Sequence, residues 1–267
     1  MRHILFLFIL LLSFLGTTSA ANYLTFTAEA DSSAFGITNE EGNNPDVQYS
    51  LNGGKTWAAL PSDIYIRLKR KGDKALLKGM NPKGFSKEGD IYSRFIMEGS
   101  IAASGSVMSL IDGKGVTTEI PSDFCFNHLF SYCYGLTKAP ELPSLKTTEG
   151  CYTCMFRMCY NLTQAPELPA TTLAKGCYQE MFSECTGLTK APLLPATTLA
   201  KYCYRGMFSG CTNLKQAPEL PTTQLADWCY QEMFSGCIRL EQAPLLPATT
   251  LTTGCYAWMF NDCTSLT

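Results

Sequence analysis

Histidine is nearly absent from this sequence of 267 residues: there are two, His3 and His128. Imidazole is the commonest general acid–base and a leading zinc ligand, so its scarcity speaks against hydrolase and zinc-site chemistry. Charge is sparse as well, at 16% Asp, Glu, Lys and Arg with a net charge of −2, which excludes the basic footprint of wholesale nucleic-acid binding. Long hydrophobic runs are also missing. Ile4 to Leu15 is a short apolar stretch, well below the ~20 residues that span a bilayer, and no later stretch qualifies. What is present is apolar and aromatic side chain, 46% and 12%, enough for a globular core, together with 13 cysteines, an odd number that leaves at least one thiol unpaired in a monomer.

Residues 1–21 have the order of a signal peptide: a basic start at Arg2, the apolar stretch, then Gly16-Thr17-Thr18-Ser19-Ala20-Ala21 as a small-residue cleavage region. Cleavage is expected after Ala20 or Ala21. The mature chain is then exported, secreted or held at the cell surface, with no transmembrane span.

Residues 119–267 are dominated by a repeat. Cysteine followed by an aromatic recurs at 125, 151, 177, 203, 229 and 255, a strict period of 26, and the last unit is incomplete. A second cysteine (133 to 263), a phenylalanine (130 to 260) and a leucine (136 to 266) run in phase. Leu199, Cys203, Met207 and Cys211 are spaced by four, with Tyr204 and Phe208 one residue on, which predicts a helix. Thr197 and Thr198 are its N-cap candidates. The segment after Cys211 is expected to turn into a short strand that Pro218 ends. Stacked units of this kind form an α/β solenoid of short parallel strands plus helices.

The period lies in the leucine-rich-repeat range, and Met207-Phe208-Ser209-Gly210-Cys211-Thr212-Asn213-Leu214 followed by Ala217-Pro218-Glu219-Leu220-Pro221 resembles the repeats of BspA-like leucine-rich repeat surface proteins of Bacteroides-type bacteria. The resemblance covers residues 125–267. It implies a leucine-rich-repeat fold, a secreted or surface location, adhesion to host matrix proteins or other cells, and no catalytic residues.

Residues 22–118 lack the repeat. Tyr23–Thr27, Asp46–Ser50 and Ile64–Lys69 alternate with a period of two between Gly, Asn and Pro clusters, which predicts a small all-β sandwich-like domain of six to eight strands. Ser50-Leu51-Asn52-Gly53-Gly54-Lys55-Thr56-Trp57 is similar to the Asp-box hairpin of sialidases, with Asn52 in place of Asp; the box is foremost a folding device, and a glycan contact through Trp57 is the lesser reading.

Cys203 and Cys211 lie eight residues apart, about 12 Å along a helix and beyond the ~7 Å bridging limit, so buried free thiols are favoured over disulfides between neighbouring units. The rows of Tyr178 and Phe182 are read as packing rather than a sugar platform, and His128 as capping or surface. The candidate binding ladder is Lys138, Gln164, Lys190, Gln216 and Gln242, followed by Glu141, Glu167 and Glu219 with Leu193 and Leu245 in phase. No catalytic, cofactor-binding or metal-ligating set is expected. The functional expectation is a non-enzymatic binding or adhesion protein for a protein or polysaccharide of a host or bacterial surface, with a carbohydrate-binding accessory or an envelope spacer as the alternatives. The last helix would leave Met259, Phe260 and Cys263 uncovered, from which a truncated chain or association through an uncapped end is expected.

Overall fold

The computed structural model describes residues 20–87 and 89–267; the expected signal segment, up to residue 19, lies outside the described residues. The amino-terminal region contributes β1 (Leu24–Ala28), β2 (Ser33–Asn39), β3 (Gln48–Ser50), β4 (Ala58–Ala59), β5 (Ile66–Leu68), β6 (Lys74–Lys78), β7 (Ser93–Glu98), β8 (Ile101–Ser104) and the one-turn helix α1 (Ser109–Asp112). One sheet runs β4-β3-β6-β1-β8-β9 and the other β5-β2-β7, where β9 is Leu136–Lys138 of the first repeat. Strand β1 shows why: Leu24, Phe26 and Ala28 are buried while Thr25 and Thr27 are half-buried, the alternation of a pleated strand. Phe26 meets Phe35 of β2 and Phe95 of β7 edge-on, at 5.3 and 5.0 Å, so the two sheets share one core.

The repeat is not built from helices, and the α/β leucine-rich-repeat solenoid is overturned. Among the described residues α1 is the sole α-helix, and the sheets are antiparallel and mixed. Where helices were expected, each unit runs through consecutive tight turns of four residues. In the unit from 177, Gln179, Met181, Ser183 and Cys185 donate their amides three residues back, to Gly176, Tyr178, Glu180 and Phe182. The amides between them leave the segment: Tyr178, Glu180, Phe182 and Glu184 donate to the carbonyls of Cys203, Arg205, Met207 and Ser209 in the next coil, at 2.7–3.0 Å. An α-helix satisfies its amides internally; this ribbon spends every second one on its neighbour.

The period of four has its cause here. Residues four apart drift about 40° per turn around an α-helix, so the strict spacing of Cys203, Met207 and Cys211 keeps one face only in a four-residue turn. Each turn closes through a left-handed residue, at Tyr202, Gly206 and Gly210 in one coil and at Glu180 and Glu184 in the coil before. Glu184, at φ 61°, supplies a test with a sign. A left-handed side chain costs ~1–2 kcal/mol, and glycine's extra unfolded-state freedom costs ~0.4–1. E184G should therefore raise the urea midpoint by up to about 1 kcal/mol of stability, whereas glycine in a helix would lower it by about as much. A fall in the midpoint would reject the turn ribbon.

Two residues of every turn point inward. Tyr152, Tyr178, Tyr204, Tyr230 and Tyr256 stack in a column with 5.8 Å between rings, and Phe130, Phe156, Phe182, Phe208, Phe234 and Phe260 in a second at 5.5–5.8 Å. The second column continues into the amino-terminal sheets through Phe95, 5.3 Å from Phe130, and β8 pairs in parallel with β9. One buried core thus extends from Leu24 to Met259.

The expected strand of each unit shrinks to β9 and single bridges, Lys138 with Gln164 and Gln216 with Gln242. Proline is the reason: Pro140, Pro166 and Pro218 have no N–H with which to extend the ladder. Thr198, expected as a helix cap, bridges Thr172 instead.

All 13 cysteines are free. The second one of each unit has a defined task, its thiol donating to a carbonyl of the coil before: Cys159 to Phe130, Cys185 to Phe156 and Cys211 to Phe182 at 3.0–3.1 Å. A disulfide sulfur carries no such proton. Burial pushes the Cys133 and Cys237 thiols up to about 12, so they stay protonated and unreactive at neutral pH.

Candidate binding surface

Each coil leaves its second cysteine through Ala-Pro-x-Leu-Pro. The leucines of this segment, Leu142, Leu168, Leu194 and Leu220, are buried, and the residue before each is turned outward. Two prolines per segment prevent neighbouring segments from pairing as a sheet, and the unpaired backbones stand apart. A cleft of about 350 Å³ opens between Lys138–Pro143 and Gln164–Pro169. A second, of about 510 Å³, opens between Gln164–Pro169 and Lys190–Pro195.

The sequence-derived ladder lines these clefts. Lys138, Gln164, Lys190, Gln216 and Gln242 are all exposed, as are Glu141, Glu167 and Glu219. Lys138, Gln164 and Lys190 form one rim, and Glu141 and Glu167 the other. Glu141 is held in place: its Oε2 accepts from Asn22 Nδ2 at 2.6 Å. Leu193 and Leu245, at the position of the glutamates, are 82% and 89% exposed, which puts apolar contact area on the same strip. Repetition at one-coil steps makes a long shallow surface rather than an enclosed chamber.

The other singled-out residues lie elsewhere. Tyr178, Tyr204 and Tyr230 are buried in their column and offer no ring face to solvent. Asn52 ties the turn between β3 and β4, its Oδ1 accepting from the Thr56 amide at 3.0 Å and its Nδ2 donating to Thr56 Oγ1 at 2.7 Å. Trp57 packs edge-on against Tyr23 at 5.1 Å beneath Lys78, the folding role expected of the box. His128 stacks on Tyr92 at 4.2 Å; burial, with Arg157 and Arg94 nearby, pushes its pKa down to about 4 and leaves the ring neutral. Cys154 is buried, and its thiol is raised to about 12 by burial and by the Glu180 carboxylate. Met259, expected to be uncovered, is buried, while Phe260 and Cys263 are half-buried. Among the described residues no group of three or more His, Cys, Asp or Glu is placed to hold a metal ion, and no helix is long and apolar enough to cross a membrane.

Sequence reasoning missed Trp258, which is 67% exposed beside Glu232, Ser235 and Asn261 in a depression of about 250 Å³. Its signal was the break in a column otherwise made of His128, Cys154, Glu180, Gly206 and Glu232. No protein-family model matches the chain, and neither a curated protein nor a solved structure matches it.

Proposed function

We propose that the chain is an exported, non-enzymatic binding protein whose proline-walled strip engages a protein or polysaccharide of a host or bacterial surface. One observation carries the reading: equivalent clefts open side by side in successive coils, rimmed by exposed Lys and Gln on one side and Glu on the other. Rigid backbone walls present polar groups and exposed leucines at a fixed step, and an extended ligand collects many small contacts from them at little ordering cost. The resemblance of the Met-Phe-Ser-Gly-Cys-Thr-Asn-Leu segment to BspA-like surface repeats supports adhesion as the purpose.

Arrays of matrix proteins and glycans identify the ligand. The combined variant K138A/Q164A/K190A/Q216A/Q242A should then lose at least about tenfold in affinity, a loss of some 1.4 kcal/mol, with an unchanged circular dichroism spectrum. Unchanged affinity would remove the strip as the binding surface.

A further inference from the structure

We propose that the outward face of the turn ribbon between the coils starting at Cys229 and Cys255 is a second site, which binds one neutral pyranose ring of a glycan. It lies on the ribbon and not on the proline segments, and does not rest on the function proposed above.

Trp258 is a costly choice for this position. It stands at φ 52°, in the left-handed region that favours glycine, and the equivalent residue two coils earlier is Gly206 at φ 57°. Its indole, 67% exposed, adds little to the core. The fold therefore has no need of tryptophan here, whereas an open indole face is what a sugar ring stacks on: the C–H bonds of a pyranose are electron-poor and the ring face is electron-rich.

The surrounding groups complete that chemistry. Glu232, Ser235 and Asn261 line the same depression of about 250 Å³, room for a single ring. A carboxylate, a hydroxyl and a carboxamide together supply acceptors and donors to ring hydroxyls that do both. Two of them are oriented in advance: Glu232 Oε1 accepts from Gln231 Nε2 at 3.1 Å, and Asn261 Nδ2 donates to Asp262 Oδ2 at 2.8 Å. The carboxylates of Glu232 and Asp262 disfavour uronates, sialylated and sulfated sugars. A cationic ligand would also meet an indole and carboxylates, but it would leave the donors of Ser235 and Asn261 unused.

The test is a glycan array of neutral and acidic structures with the full chain, then calorimetric titration of the bound glycans into wild type, W258A, W258G and N261A. W258G relieves the left-handed strain, so its loss of binding cannot be a folding defect. Neutral glycans should bind, with affinity at least about tenfold weaker in both Trp258 variants and several-fold weaker in N261A. Binding of no neutral glycan, equal affinity in W258A, a preference for acidic glycans, or a trimethyl-lysine peptide as the ligand that Trp258 holds would overturn the assignment. Glycan binding that the ladder variant loses and W258A keeps would assign the sugar to the proline strip and likewise overturn this site.

Discussion

Truncating Phe182 to alanine should destabilise the protein by about 3–5 kcal/mol, the range for removing a fully buried phenylalanine. The ring is completely buried and lies between Phe156 at 5.5 Å and Phe208 at 5.7 Å, so the deletion breaks the column in its middle and strips two rings of a partner at once. The main chain there also carries load: the Phe182 amide donates to Met207 at 2.9 Å and its carbonyl accepts the Cys211 thiol at 3.1 Å. Coils depend on their neighbours, so the loss should appear as uncoupling as well as destabilisation. Urea unfolding of F182A followed by circular dichroism should show an earlier and broader transition. A loss below about 1 kcal/mol would mean that the column does not bear on stability.

Gly105→Ala should cost about 3 kcal/mol or more, although it adds one methyl group. Gly105 sits at φ 69° just after β8, and its carbonyl accepts the Glu141 amide at 2.8 Å, where the amino-terminal sheets meet the first coil. A Cβ there would lie 2.0 Å from the Tyr23 carbonyl oxygen, main-chain atoms of the entry to β1 that cannot swing aside as a side chain can. Left-handed strain of ~1–2 kcal/mol then adds to an overlap of ~1–3. Gly53 is the matched control, with φ 70° and nothing within 4 Å of its would-be Cβ. G53A should lose only the strain, and thermal melts showing equal losses for G53A and G105A would contradict the close approach at the junction.

The residues that were legible in the sequence are those whose environment recurs in every coil. Cys177, Tyr178, Met181 and Phe182 point inward in each turn, burial demands their type, and the period of 26 followed directly. The backbone was not legible from that pattern, because apolar residues spaced by four fit one helix face over a short stretch as well as they fit four-residue turns. The discriminating signal lay in the outward residues. Gly206 and Gly210 stand four apart within one predicted helix, a poor sequence for a helix and a good one for left-handed turn ends. In the amino-terminal region β1 alternates and was readable, whereas β2 is buried along Ser33–Ile37 and lacks the alternation. There Gly36 admits the Ile64 carbonyl to where a Cβ would lie 2.5 Å from it. The exposed ladder could be placed from the sequence, since Pro and Leu fix which neighbours turn outward. The clefts could not, because they arise from backbones that fail to pair.

The amide bonds that alternate out of each turn ribbon run from coil to coil, along the axis of the stack, and so determine how the molecule yields to force. Tension applied between the amino-terminal region and the far end of the stack loads these bonds one coil at a time instead of sharing the strain among all of them. Each coil that peels away frees 26 residues, up to about 90 Å of extended chain, before the next interface carries the load. A ligand held near the far end would thus be tethered by a chain that lengthens in equal increments, and the sheets around Phe26 would be the last to feel the pull.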